Sequence, residues 1–409
     1  MKRRDFIEKT AAGSAFVGLG LSLSSFKSDE IKKITILHTN DVHSHIDPFP
    51  ADDPRNANMG GVSRRAVLIE NIRQENPNVL LLDAGDIFQG TPYFNYYGGE
   101  LEFKLMSMMQ YDASTIGNHD FDNGIDGLRA QMPHATFEFI SANYDFKNTV
   151  MDEFVKPYKI FIKDGIKIGV FGLGIELEGL VDKKGYKETV YNDPVEISQD
   201  MVRILKKEQQ CDLVICLSHL GYKYNKEDAD KISDLKLAAL TEDIDLIIGG
   251  HTHTFLDKPT VVKNKAGKDV LVNQVGCYGI NLGQIDFYFA GMPVGLPLYK
   301  GDKAHALAVT SKNRFSGAPE LPTIQEAGVK GYEMALWQGV FVPAGTPAAI
   351  VQTLNNTVLK ILETPEMKER FVKAGVQIAP MNTQQFTDLY NSDIARWKVV
   401  IEKAKIKLD

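Results

Sequence analysis

In the stretch TIGNHDFDNG, residues 115–124, an apolar run ends at Gly117, and Asn118, His119, Asp120, Asp122 and Asn123 follow within six residues. A polar turn would account for one such segment, but the same event recurs along the chain. ITILHTNDVHSH stops at Asp41 and His43, VLLLDAGD at Asp86, DLVICLSHLG at Ser218 and His219, and DLIIGGHTHT at Gly249, Gly250, His251 and His253. Each apolar run has strand length and helix-like segments separate them, which is the alternation of an α/β domain. In open α/β sheets the loops at the carboxyl ends of the strands converge on a common crevice. Five strand ends that deliver Asp, Asn or His therefore predict one shared pocket.

The chain has 409 residues, a length that favours about two to three domains. With 44% hydrophobic and 24% charged residues it is a soluble globular protein rather than a disordered one. The formal net charge of -7 disfavours nonspecific binding to nucleic acid or to an anionic membrane. At the N-terminus, Lys2, Arg3 and Arg4 precede a modestly apolar stretch over residues 11–23, shorter than the ~20 residues that span a bilayer. Arg3-Arg4-x-Phe6-Ile7-x-Lys9 resembles a twin-arginine export signal, so residues 1–28 are expected to lie outside the fold. A periplasmic or extracytoplasmic location without a stable membrane anchor follows. The three cysteines make no disulfide framework: Cys211 and Cys216 flank one strand, about 16 Å apart at ~3.3 Å per residue, too far to bridge. They read as small buried apolar groups.

A hydrolase that attacks phosphorus must neutralise a polyanionic substrate and make a nucleophile from water near neutral pH. Two cations about 3.5 to 4 Å apart do both, and they need one bridging carboxylate with His, Asp and Asn ligands from several loops. This chain carries that set in the order Asp-x-His, Gly-Asp, Gly-Asn-His-Asp, a lone His, and Gly-His-x-His. The order resembles the calcineurin-like metallophosphoesterases. ILHTNDVHSH, LLDAGDIFQGTP, TIGNHDFDNG and DLIIGGHTHT are similar, within that superfamily, to the bacterial 5'-nucleotidase group over residues 32–289. The resemblance implies an α/β fold of two mixed sheets packed face to face with flanking helices, four layers in all. It also implies two divalent metal ions, with Asp41, His43 and His253 on the first, Asp86 bridging, and Asn118, His219 and His251 completing the second. His119 takes the place of the catalytic histidine, with Asp122 orienting it, and a metal-bridging hydroxide attacks phosphorus in line. Mixed N and O donors suit Mn, Zn, Fe or Co.

The residues around these positions read more plainly. Asp120 supports its loop, Asp83 is structural, His38 is a core histidine within its strand, and His45 is a rival to His43 that the family pattern does not select. The implied substrate is a small phosphoester such as a nucleotide. In the nucleotidases a separate C-terminal domain supplies aromatic side chains that stack on the base and arginines that hold the phosphate. Nothing after Phe289 resembles it, so no substrate-binding residue is assigned. The alternatives are another ester on the same centre (a cyclic nucleotide, a nucleotide sugar or a sulfur ester) or a solute-binding protein with a vestigial enzyme domain.

FEFISANYDF (residues 137–146) and IKIGVFGLG (residues 166–174) read as sheet members without ligands, and residues 270–289 as a closing strand pair with a Gly-rich turn. Residues 290–302, rich in Gly and Pro, form a linker or fusion seam. Beyond it, Thr346-Pro347 reads as an N-cap with Pro at the first helical position. Ile350, Leu354, Val358 and Ile361 share one helical face, and Phe386, Leu389, Tyr390, Ile394, Trp397 and Ile401 share another. Both stripes are expected to be core packing. Residues 303–409, including Val-Pro-Ala-Gly-Thr-Pro at 342–347, resemble the final third of the solute-binding proteins of tripartite tricarboxylate transporters. A small α/β fragment is expected, with an incomplete cleft, no competent carboxylate site, no transporter partner, and an apolar face in need of cover.

Overall fold

The computed structural model describes residues 32–225, 230–301, 303–327 and 331–404. The twin-arginine-like segment lies outside the described residues. The chain divides into a compact unit of Lys32–Phe289 and a second that contains Ala290–Asp409.

The described residues of the first unit hold thirteen strands: β1 Lys32–Thr39, β2 Val79–Asp83, β3 Ala113–Ser114, β4 Glu138–Phe139, β5 Tyr144–Asp145, β6 Tyr158–Lys163 and β7 Ile166–Leu173, then β8 Val190–Tyr191, β9 Leu213–Ser218, β10 Leu246–Gly249, β11 Thr260–Lys263, β12 Asp269–Asn273 and β13 Gly283–Phe289. One sheet has the order β13-β1-β2-β3-β4, the other β11-β12-β10-β9-β7-β6, and β5 pairs with β8 in a small ribbon. Neighbours within β1-β2-β3-β4 and within β12-β10-β9-β7 run parallel, and β13, β11 and β6 add antiparallel edges.

Side-chain alternation along the strands explains why the sheets stack. Ile34, Ile36, Leu80 and Leu82 of one sheet meet Ile168, Val170, Leu213, Ile215, Leu246 and Ile248 of the other in a shared buried cluster. The intervening residues turn outward. Leu37, Val79 and Leu81 pack with Ile69 of the helix Val62–Glu75 and Phe103 of the helix Glu100–Met108. Phe171, Val214, Cys216 and Ile247 pack with Met201 of Pro194–Val202 and Leu237 of Asp234–Leu240. Each fully buried Leu or Ile contributes about 1.5–3 kcal/mol of transfer free energy, so strands apolar on both faces belong between layers. The result is two mixed sheets packed face to face with helices outside, as the family resemblance implies. Cys211, Cys216 and Cys277 are buried free thiols.

Two expectations about this unit need correction. Residues 270–289 are not a hairpin: β12 joins β10 and β11 in the second sheet, whereas β13 runs antiparallel to β1 in the first. The Gly-rich segment between them crosses from one sheet to the other and passes the strand ends. FEFISANYDF is likewise split, β4 closing an edge of the first sheet and β5 pairing with β8.

The second unit carries helices Met292–Lys300, Ala348–Glu363, Pro365–Lys373 and Thr383–Ala404, with an isolated parallel bridge from Val309 to Thr323. Among its described residues these helices are joined by turns and irregular segments, and the bridge is a β pairing within the unit. The helix over 348–363 starts one residue later than its sequence suggests. Thr346 Oγ1 donates to the carbonyl of Pro343 (2.8 Å), which engages the hydroxyl in the preceding turn, and Pro347 takes the cap position. The same residue pair does cap the next helix, where the Thr364 side chain accepts from the Met367 N–H ahead of Pro365. Neither apolar stripe is core. Ile350 is 51% exposed and Ile394 52%, and the unit's buried cluster draws on Leu296, Val309, Phe315, Ala318 and Leu321 instead. Amphipathic periodicity fixes a face, but only a partner buries it.

Candidate metal centre

The parallel strands β1, β2, β9 and β10 end at Thr39, Asp83, Ser218 and Gly249, and the residues that follow each end face a common space. Asp41, His43 and His253 offer ligand atoms within 4.8 Å of one another, and so do Asp86, His219 and His251. The two groups abut. Asp86 Oδ2 is 3.1 Å from His219 Nε2 and 3.9 Å from His43 Nε2, while Asp41 Oδ1 is 3.4 Å from His253 Nε2 and 3.9 Å from His219 Nε2. Asn118 joins the second group, its Oδ1 2.9 Å from His251 Nδ1. All seven ligand residues named from the sequence therefore meet.

The backbone is bent to achieve this. Asp41, His43, Asp86, His251 and His253, five of the seven, have φ between 49° and 69°. Non-glycine residues rarely adopt that region, at a cost of about 1–3 kcal/mol each, and such outliers cluster at functional sites. Close approach also needs bare backbone: a Cβ added at Gly117 would strike Asp86 Oδ1, and one at Gly250 would crowd His219 Nδ1.

The imidazole tautomers make the centre cation-seeking. His219 Nδ1 hydrogen-bonds the Ala84 carbonyl at 2.7 Å, so it carries the proton and leaves the Nε2 lone pair facing the Asp86 carboxylate. That buried Nε2 has no aligned hydrogen bond among the described residues. His43 repeats the arrangement, with Nδ1 3.1 Å from the Phe88 carbonyl and Nε2 2.9 Å from His253 Nε2. Lone pairs pointed at carboxylates and at each other in a buried site are stable only with a proton or a cation between them. Burial opposes a charged His219, but Asp86 outweighs it and pushes the pKa up to about 10. Burial also opposes a charged His253, which Asp41 nevertheless pushes up to about 10. Burial, helped by His219, lowers His251 to about 4, and burial lowers His43 against the pull of Asp86 and Asp41. Burial alone would raise Asp86; His219 and His43 hold it well below the carboxylate range.

His119 opens a short helical turn, His119–Phe121, at the rim. Its backbone N–H donates to Asp86 Oδ1 (2.8 Å), and its Nδ1 lies 3.1 Å from Asp122 Oδ1. The bond to Asp122 raises its pKa above the usual histidine value, against the effect of burial. Asp120 faces inward instead. Its carboxylate accepts the backbone N–H groups of Gly117, Asp86, Ile87 and Phe88 at 2.8–3.2 Å, tying two ligand loops together. Burial and the nearby Asp86 push Asp120 up to about 7, whereas four N–H donors favour its ionised form. Asp83 clamps Thr39 Oγ1, Ser114 Oγ and the Gly85 N–H. His38 is fully buried against Gly283, and burial lowers it to about 4. His45 donates from Nδ1 to the His43 carbonyl (3.0 Å) and stays outside both ligand groups.

Three contributors escaped the sequence reading. Asn40 donates to Asp41 Oδ2 (2.6 Å) and the Gly276 carbonyl (2.6 Å) and accepts from Val275 N–H (3.0 Å), fastening the first ligand loop to the crossing segment. Its place beside Asp41 was the available cue. Gln89 Nε2 lies 3.2 Å from His119 Nε2, and it sits in the quoted LLDAGDIFQGTP. Tyr278 has φ 60° and its N–H donates to the Asp41 carbonyl (2.7 Å); nothing local marks it.

A site built at strand ends between two stacked sheets, from Asp, His and Asn, defines the class. The calcineurin-like phosphoesterase family matches residues 34–255, more than half of the chain, and the chain belongs to that family of metal-dependent phosphoester hydrolases. Among its relatives is the trifunctional nucleotide phosphoesterase protein YfkN of Bacillus subtilis, 35% identical over 64% of this chain and 18% of that protein. Human 5'-nucleotidase is 32% identical over 63% of this chain and 46% of that protein. A 5'-nucleotidase precursor from Thermus thermophilus superposes with a TM-score of 0.57 at 34% identity, over 62% of this chain and 51% of that one. The chain thus spans less than half the length of these curated relatives. Residues 273–406 match the tripartite tricarboxylate transporter receptor family. That match begins inside the first unit, yet β13 pairs with β1 over seven residues and belongs physically to the phosphoesterase sheet.

Proposed function

We propose that this chain is an exported phosphoester hydrolase acting on nucleoside 5'-monophosphates, with one divalent cation in each of the two abutting ligand groups. The observation that carries this reading is the pair of groups itself, six His and Asp side chains around two adjacent points with Asp86 and Asp41 facing both. Asp41, His43 and His253 would hold one cation, Asn118, His219 and His251 the other, with Asp86 between. When bound, the cations neutralise phosphoryl oxygens and lower the cost of taking a proton from water. Neutral Asn118 limits the anionic charge of the set, which keeps that effect strong.

The chain's own acid–base work falls to His119. Asp122 holds Nδ1, so Nε2 is the end that meets the ester; protonated, it stabilises charge on the phosphoryl group or delivers a proton to the leaving alkoxide. The hydrogen bond from its backbone to Asp86 fixes the distance between the acid and the ligand cluster. Nucleotide phosphoesterase relatives support the substrate class, and the twin-arginine-like N-terminus supports export. The test is a panel of AMP, a cyclic nucleotide, a nucleotide sugar and a sulfur ester, offered to the purified chain with Mn²⁺ or Zn²⁺. Turnover of AMP that vanishes in Asp86→Ala supports the reading; exclusive turnover of another ester, or of none, overturns it.

A further inference from the structure

Beside the first ligand group stands an aromatic cluster that the proposed chemistry does not use. The Tyr278 ring lies 4.3 Å from His45, 5.8 Å from His43 and 5.9 Å from His253, centroid to centroid. Phe49 stacks on His45 at 5.2 Å, 24° from coplanar, and lies 5.9 Å from Tyr278. Tyr278, His45 and Phe49 are all only half-buried. The ring is held at some cost. Tyr278 sits at φ 60°, between Gly276 and Gly279, which also have positive φ, and its N–H is tied to the Asp41 carbonyl at 2.7 Å. A bulky residue in that conformation is an outlier whose natural explanation is function. A glycine would meet the backbone demand without strain; what tyrosine adds is an aromatic surface.

We propose that Tyr278, backed by His45 and Phe49, is the subsite that stacks the planar ring carried by the substrate's leaving group, a nucleobase or an aryl ring. Two features favour a planar occupant. Tyr278 and His45 are amphipathic, half-buried rings, and base–ring stacking gains free energy without reading the identity of the base. The ledge also lies next to the first ligand group, so a ring attached through a short linker to a phosphoryl group at the centre reaches it. This inference rests on the phosphoester-hydrolase reading. It places selectivity in the Lys32–Phe289 unit itself.

The experiment compares wild type, Tyr278→Asn, which tolerates the left-handed backbone, and Tyr278→Phe, each loaded with Mn²⁺. KM is measured for AMP and for ribose 5-phosphate, which share the phosphoryl group and the sugar but differ in the ring. The ratio of KM for AMP to KM for ribose 5-phosphate is expected to rise about tenfold in Tyr278→Asn, which corresponds to about 1.4 kcal/mol, and to return toward wild type in Tyr278→Phe. A purely structural role moves both KM values together, and an unchanged ratio overturns the proposal. In parallel, saturation-transfer NMR with adenosine reports ring contact without any chemistry. Transfer to the base protons in wild type and its loss in Tyr278→Asn supports the ledge even if neither ester is hydrolysed, a result that would fall on the hydrolase reading instead. Equal transfer in both proteins rejects the ledge.

Discussion

At the scale of residues, the proposed function assigns Asp86 to holding cations and His119 to moving protons. Asp86 faces both ligand groups, so Asp86→Ala is expected to abolish metal retention and turnover together, whereas His119→Ala keeps its metal content and loses kcat by about 10²–10⁴-fold. Metal analysis beside steady-state kinetics distinguishes the two. Asp122 raises the pKa of His119 by favouring the imidazolium. If the protonated ring is the active form, activity is present below that pKa and lost as pH rises through it. Asp122→Asn lowers the pKa, so the basic limb of the kcat profile moves to lower pH; a stationary limb would mean that another group titrates there. The ligands make a further prediction. Asp86 and Asp41 push His219 and His253 up to about 10 against burial, which favours a second proton on each ring when no cation is bound. Metal uptake takes their lone pairs and expels those protons. Loading at pH 8 in weak buffer is expected to release protons, fewer in His219→Ala than in wild type, and an equal release in both would mean that this ring is not a source.

At the scale of elements, the strands and the candidate ligands at their ends were legible because both are local facts. VLLLD is apolar at every position but the last, so it must be buried on both faces, and Leu80 and Leu82 do pack inward between the sheets while Val79 and Leu81 pack outward. The conversion of strand ends into a cage was not legible, since it depends on left-handed backbone at Asp41, His43, Asp86, His251 and His253 and on bare backbone at Gly117 and Gly250. Pairing across the chain was equally hidden. β12 and β13 read as neighbours because a Gly-rich segment between two strands is the ordinary signal of a hairpin, whereas β13 finds β1, more than 240 residues away. Tyr278 and Asn40 were missed for the same reason: their importance comes from that crossing. The β1–β13 seam carries its own test. His38 fills the space above Gly283, and an added Cβ would strike its ring. Gly283→Ala is therefore expected to destabilise the fold by about 1–3 kcal/mol, the usual range for overpacking, read as a fall in Tm; an unchanged Tm would show that the strands separate there at no cost.

At the scale of the whole molecule, all seven ligand residues, His119 and Asp122 fall within Lys32–Phe289. A chain ending at Ala290 is therefore expected to retain kcat/KM within about a factor of two, less than 0.5 kcal/mol, and a collapse in turnover would make the remainder part of the catalytic unit. The tail's resemblance was readable from its sequence, but the fate of its apolar stripes was not, because amphipathicity does not name the surface that covers it. In the proposed function, residues scattered over more than 200 positions, from Asp41 to His253, grip two cations. Anomalous scattering from crystals grown with Mn²⁺ tests it directly. Two adjacent peaks are expected, one within coordination distance of Asp41, His43 and His253 and the other of Asn118, His219 and His251, with Asp86 reaching both. A single peak elsewhere, or no ordered metal among these side chains, would contradict it.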